Sequence, residues 1–231
     1  MDIGELTEDF DGFITPQGEL IPIQDADRLF TALTGASENR DRITEVLWQV
    51  SRECCDRGYF EATFAYTARL LTLEDDPDVK ARCYWIMGQM KENSGDFAAA
   101  VETYAAAFHL PQEPNEAWYF LNNNLGYCLN KIGRHAEAEK YCREAIGMQP
   151  RYHNAYKNLG IALEGLGRYA DAASSYIYAA RACPEDPRAL AHLQNLLAAH
   201  GEVLDEVPDI LAQLHECHEA AQSRRGKPRL Q

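Results

Sequence analysis

The amino-acid sequence predicts an all-α fold: a right-handed α-solenoid of stacked antiparallel helix pairs with a C-terminal capping helix. Two observations predict it. The sequence repeats itself every 34 residues, and within each period small and apolar residues recur at helical spacing. Two consecutive units carry the whole pattern, with Asn122, Leu125, Gly126, Leu129, Gly133, Ala138, Cys142, Ala145 and Pro150 in the first and Tyr156, Leu159, Gly160, Leu163, Gly167, Ala172, Tyr176, Ala179 and Pro184 in the second.

Each residue type in the pattern has a physical reason. Gly160 allows the two helices of a pair to approach closely, and Ala172 on the second helix has the same effect. Leu163 and Tyr176 are expected to fill the layer between neighbouring pairs. Pro184 ends the unit because it lacks the N–H group that a continuing helix would need. One pair cannot bury its apolar face alone, so neighbouring pairs must stack.

The pattern divides the chain into a solenoid at residues 25–222 and two shorter segments. Helix starts are marked by Asp76, Asn115 and Asp186, which are capping residues next to a proline. Residues 1–24 lack a helical period and form an acidic extended segment, and residues 223–231 form a basic tail. We expect helix pairs at about 44–80, 81–114, 119–152 and 153–186, a partial repeat at 187–201 and a capping helix at 206–222.

This pattern resembles the tetratricopeptide repeat, which places a large apolar residue, Leu-Gly, an aromatic residue, two alanines and a proline along a helix–turn–helix. The resemblance covers about residues 44–201. The unit near 81–114 matches in its core, and four extra residues separate it from the next unit. The first unit departs from the pattern, because its small positions hold Ser51, Thr63 and Thr67.

The resemblance implies a peptide-binding groove lined by the first helix of each pair. Asparagine amides both donate and accept hydrogen bonds, so a row of them suits a peptide backbone. Lys157 and Arg188 favour an acidic ligand or a terminal carboxylate. Family members that clamp the C-terminus of heat-shock chaperones need an asparagine where this chain has Ile161, so that ligand is not expected. The predicted peptide-binding residues are Trp85, Asn123, Asn124, Tyr127, Asn154, Lys157, Asn158, Arg188, His192 and Asn195.

Composition argues against several classes of function. The formal net charge is -14, which disfavours nucleic acid as a partner. No apolar run reaches the ~20 residues of a membrane-spanning helix. Residues 1–27 contain no lysine or arginine, unlike a signal peptide, so we expect a cytoplasmic protein. The seven cysteines show no CxxC spacing and are expected to be buried free thiols.

No nucleophile–base pair, phosphate-binding loop or metal-ligand spacing stands out, so we expect a non-enzyme without cofactor or metal. The expected function is an interaction scaffold or adaptor that binds a peptide or protein segment in its groove. Two alternatives are a cytoplasmic chaperone for a specific client, such as a secretion substrate, and a structural homo-oligomer. Residues 1–24 have two possible placements: along the groove as a mimic of the ligand, or over the first helix pair as a cap.

Overall fold

A computed structural model describes residues 4–36, 39–207 and 209–225 of the chain. The chain divides into two compact units, unit 1 at Met1–Gln112 and unit 2 at Glu113–Gln231. Unit 1 contains strands β1 Glu5–Leu6, β2 Gly12–Ile14 and β3 Leu20–Pro22, followed by helices α1 Ala26–Ala36, α2 Arg40–Asp56, α3 Phe60–Leu73, α4 Pro77–Asn93 and α5 Phe97–Ala105, with a 3-10 turn at Ala106–His109. Helices α2 and α3 form the first pair, and α4 and α5 form the second.

The N-terminal segment is a small sheet, which the sequence did not predict. Its three strands pair antiparallel in the order β1-β2-β3. Phe13, Ile21 and Ile23 are buried in one apolar cluster with residues of α1, α2 and α3, including Leu29 and Leu47. The described part of the segment therefore covers the first helix pair, which is the capping placement.

Unit 2 contains only helices among its described residues. Helices α6 and α7 form one pair, and α8 and α9 form the next. The bounds are α6 Glu116–Lys131, α7 His135–Met148, α8 His153–Gly165, α9 Tyr169–Ala182, α10 Pro187–Ala199, α11 Val203–Glu206 and α12 Ile210–Arg225.

Several boundaries differ from the expected ones. The first pair begins at Arg40 rather than near 44, because the Asn39 side chain accepts the N–H of Arg42 and caps α2 there. The capping helix begins at Ile210 rather than 206, because the short α11 stops before extended Val207. Val203, Val207 and Ile210 are buried together against α9 and α10. The predicted caps at Asp76, Asn115 and Asp186 are confirmed, since each side chain accepts a backbone N–H of its helix.

In the α8–α9 pair, close approach of the two helices depends on a glycine. A Cβ atom added to Gly160 in α8 would lie 2.4 Å from a ring carbon of Tyr176 in α9. The Tyr176 hydroxyl donates to Glu164 at 2.6 Å, so the buried phenol keeps a hydrogen-bond partner. In the first pair, Ser51 and Thr67 make the contact between the two helices instead. Their hydroxyls form a buried hydrogen bond of 2.7 Å.

We expect Gly160→Ala to lower the free energy of unfolding by about 1–3 kcal/mol, because Tyr176 cannot keep its rotamer beside the new methyl group. Urea denaturation measures the change. Gly147→Ala in α7 is the matched control, since a Cβ there meets open space. It should be neutral or stabilise by up to ~1 kcal/mol through helix propensity. Equal effects of the two substitutions would contradict the close-contact explanation.

Candidate functional site

In unit 2 the first helices of consecutive pairs are joined by buried asparagine amides. The Asn158 side chain of α8 donates to the Asn123 side-chain oxygen of α6 at 3.1 Å. In return, the Asn130 amide of α6 donates to the backbone oxygen of Asn158 at 2.8 Å. We call Asn123, Asn130 and Asn158 the amide ladder. All three are buried, and Asn158 exposes only 2% of its surface.

The ladder depends on a difference in sequence between the α6–α7 pair and the α8–α9 pair. In the α8–α9 pair, Glu164 accepts the hydroxyl of Tyr176. The equivalent residues of the α6–α7 pair are Asn130 and Cys142. A thiol is only a weak hydrogen-bond donor, so Cys142 does not need an acceptor as the tyrosine hydroxyl does. The Asn130 amide therefore bonds to the next first helix, while its oxygen lies 3.1 Å from Nδ1 of His135.

This geometry divides the predicted asparagines into two groups. Asn123 and Asn158 bind each other between the helices, and Asn123 also donates to the Asn124 side chain at 2.9 Å. Asn154 is half-buried at the start of α8, and Asn195 is exposed on α10. A peptide on this face would therefore meet Asn154 and Asn195 more readily than the ladder.

Three cations of α6, α8 and α10 form a group that we call the basic cluster: Lys131, Lys157 and Arg188. The Asn154 side-chain oxygen bridges two of them, accepting from Lys157 Nζ at 3.3 Å and from Arg188 Nη2 at 3.2 Å. The ammonium of Lys131 lies 5.4 Å from the ring centroid of Tyr127, in cation–π range. Sequence reasoning missed Lys131, although its position one helical turn after Tyr127 was a usable signal.

Lys157 is buried to an unusual degree for a lysine and exposes 7% of its surface. Burial is the main cause that lowers the pKa of its ammonium to about 8; the charges of Arg188 and Lys131 act in the same direction, and the carboxylate of Asp186 opposes them. Among the described residues it forms no ion pair, and its hydrogen-bond acceptor is the neutral Asn154.

Arg188, in contrast, has a carboxylate partner. It donates to Asp186 through Nε and Nη2, and the His153 ring nitrogen lies 3.0 Å from the same carboxylate. The hydrogen bond from Arg188 holds the pKa of Asp186 well below its usual range. Because Asp186 offsets Arg188, the cation of the cluster that lacks a carboxylate partner among the described residues is Lys157.

The remaining predicted residues lie in different places. His192 stacks on Tyr176 with ring centroids 5.3 Å apart, and burial lowers its pKa. It lines an open cavity of about 400 Å³. Trp85 lies half-buried on α4 and so belongs to unit 1, whereas the other predicted residues belong to unit 2. The cavity is also lined by His135, Ile161, Glu164, Gly165, Tyr169 and His200.

Two kinds of feature are absent from the described residues. No group of three or more His, Cys, Asp and Glu side chains is arranged to hold a metal ion within residues 4–36, 39–207 and 209–225. None of the helices described there is both long and apolar enough to cross a bilayer.

Comparison with known proteins identifies the repeats. The tetratricopeptide repeat family model matches residues 88–153 and 131–187. Photosystem I assembly protein Ycf3 of Cuscuta gronovii is 30% identical over 108 residues, which are 45% of this chain and 63% of that protein. Ycf3 of Rippkaea orientalis is 25% identical over 105 residues, 44% of this chain and 60% of that protein. The chain thus spans less than two thirds of the length of these relatives.

Solved structures show the same fold at low sequence identity. MamA from Desulfovibrio magneticus RS-1, from residue 41 onward, has a TM-score of 0.62 at 21% identity and covers 78% of this chain and 96% of its own. BtubC from P. vanneervenii has a TM-score of 0.62 at 17% identity, with coverages of 90% and 91%. The fold defines a helical repeat protein. Residues 88–187 of the chain carry tetratricopeptide repeats, as the match to the family model shows.

We expect Asn158→Ala to lower the free energy of unfolding by about 1–3 kcal/mol, because it leaves the buried Asn123 oxygen without its donor. Asn195→Ala on α10 is the control. Asn195 is exposed, so this substitution should change the free energy of unfolding by no more than about 0.5 kcal/mol. Urea denaturation measures both changes. An unchanged unfolding midpoint for Asn158→Ala would show that the ladder contributes little to the packing of α6 against α8.

Proposed function

We propose that unit 2 binds an acidic segment of a partner protein on the face formed by α6, α8 and α10. The observation that carries this proposal is Lys157, a buried ammonium without a carboxylate partner among the described residues. A buried charge is costly unless it is paired. A ligand carboxylate that reaches Lys157 would therefore gain a charge-assisted hydrogen bond and relieve that cost.

The neighbours of Lys157 suit the same ligand. Asn154 holds Lys157 and Arg188 on one oxygen, so the two cations converge on a single place. Lys131 adds a third positive charge from α6, as its effect on the pKa of Lys157 indicates. A segment with two or more carboxylates would contact several of these cations at once, whereas a neutral segment would leave the buried ammonium of Lys157 without a carboxylate.

Further groups on this face would contact the peptide beyond its acidic part. Half-buried Tyr127 and exposed Asn195 offer an aromatic ring and an amide to the backbone or to apolar side chains. The cavity beside His192 is large enough for a side chain of the peptide. Anchoring of one side chain there would fix the register of the peptide relative to the basic cluster.

The relatives favour one version of this function. The Ycf3 proteins are named as assembly proteins of photosystem I. By analogy, we propose as a second candidate that the acidic segment belongs to a client that this chain holds during its assembly. This version predicts transient binding to an unassembled client, whereas an adaptor would remain in the finished complex.

We expect Lys157→Met to weaken binding of a fluorescein-labelled hexaglutamate peptide at least tenfold, because one charge-assisted hydrogen bond contributes about 1.5–3 kcal/mol. Fluorescence anisotropy measures the affinity. Lys140→Met is the matched control, because Lys140 is exposed on α7 and should bind like the wild type. Amidation of the peptide C-terminus then distinguishes a terminal carboxylate from side-chain carboxylates. Equal losses in both variants would refute the proposed site.

The affinity should depend on pH with a definite sign. The pKa of Lys157 lies at about 8 in the free protein, and a bound carboxylate favours the charged ammonium and raises it. Binding near that pH therefore takes up protons, and affinity falls by about tenfold between about pH 7 and pH 9. Calorimetry in two buffers of different ionisation enthalpy measures the uptake. Proton uptake that persists in Lys157→Met would assign it to another group.

A further inference from the structure

Unit 1 is much more acidic than unit 2. Residues 1–112 contain 21 acidic and nine basic side chains, a net charge of -12, out of a total of -14 for the chain. Residues 224–229 hold four basic side chains, Arg224, Arg225, Lys227 and Arg229, and the basic tail contains no acid. One chain therefore carries both a strongly acidic surface and a concentrated basic segment.

Unit 1 also contains a cavity that suits one long basic side chain. Its volume is about 260 Å³, below the ~300–1,000 Å³ of ordinary small-molecule sites. Trp48 supplies an aromatic face that attracts cations, and Leu70 and Val79 supply apolar walls for a methylene chain. The whole lining consists of Asp41, Thr44, Glu45, Trp48, Leu70, Glu74, Val79 and Arg82.

The charges around this cavity leave two carboxylates for a ligand. Glu45 is paired with Arg42 at 2.5 Å. Within the part of the chain that the structure describes, Asp41 and Glu74 form no ion pair. Arg82 also lines the cavity, so the two carboxylates exceed it by one negative charge. A guanidinium entering over Trp48 would therefore meet net negative charge as well as an aromatic face.

We propose that this cavity binds an arginine or lysine side chain from the basic tail of a second copy of the chain. The tail is the occupant because it has the complementary charge and the long basic side chains that the cavity fits. Such a contact joins two different surfaces, so two copies can exchange tails in a closed dimer or several copies can link head to tail. It is independent of the basic cluster of unit 2, whose residues take no part in it.

The test uses full-length chains that each lack one half of the contact. The tail variant carries Arg224→Gln, Arg225→Gln, Lys227→Gln and Arg229→Gln, and the cavity variant carries Asp41→Asn and Glu74→Gln. In low salt, light scattering should show a wild-type mass that rises with concentration and falls again when salt screens the contact. Each variant alone should remain a monomer.

Mixing the two variants gives the decisive result. The tail variant keeps the cavity and the cavity variant keeps the tail, so an equimolar mixture should form a one-to-one complex that grows no further. Glu61→Gln with Glu102→Gln is the control, because both acids are exposed in unit 1 outside the cavity, and it should associate like the wild type. A monomeric wild type, a tail variant that still associates, or a mixture that does not associate would overturn the proposal.

Discussion

The close approach of the two helices in each pair is the constraint on which the rest of the structure depends. Gly160 leaves room for the ring of Tyr176, and the ring in turn needs an acceptor for its hydroxyl, which Glu164 supplies. In the α6–α7 pair, Cys142 takes the place of the tyrosine and has no hydroxyl that needs an acceptor. The position equivalent to Glu164 can therefore hold Asn130. The residue that packs at the position of Cys142 or Tyr176 therefore determines whether a polar group of the first helix is available to bind the next pair, as Asn130 does.

The same packing determines the electrostatics of the candidate site. The amide ladder draws α6 and α8 together, and this contact removes Lys157 from solvent although it lies on the first-helix face. Desolvation then lowers its pKa and makes the charged form costly in the free protein. The proposed site for an anion thus follows from tight helix packing, because the packed helices bury the lysine beside Arg188.

The repeat could be predicted because its small residues, turn glycines and prolines recur at one spacing, and helix propensity agrees with that spacing. The N-terminal sheet could not, because strands as short as Gly12–Ile14 are too brief to show alternation among acids and breakers. Periodicity also assigned Asn158 to the first helix of its pair, but it did not indicate how closely α6 approaches that residue or that the contact buries it. The burial of Asn158 depends on Asn123, which lies 35 positions earlier in the chain. How close these two residues come in space is decided by the packing of one helix pair against the next.

The use of asparagine between the first helices bears on specificity as well as stability. Apolar side chains at those positions would also bury well, and they would tolerate sliding of one helix along the other. Asn130 and Asn158 instead bind particular oxygen atoms, one of them in the backbone, so a shift by one turn would leave buried amides unsatisfied. Buried polar groups fix register in this way in other helical assemblies. The ladder therefore holds Lys157 at a fixed height relative to α6, and the proposed acidic ligand would depend on that fixed spacing of cations.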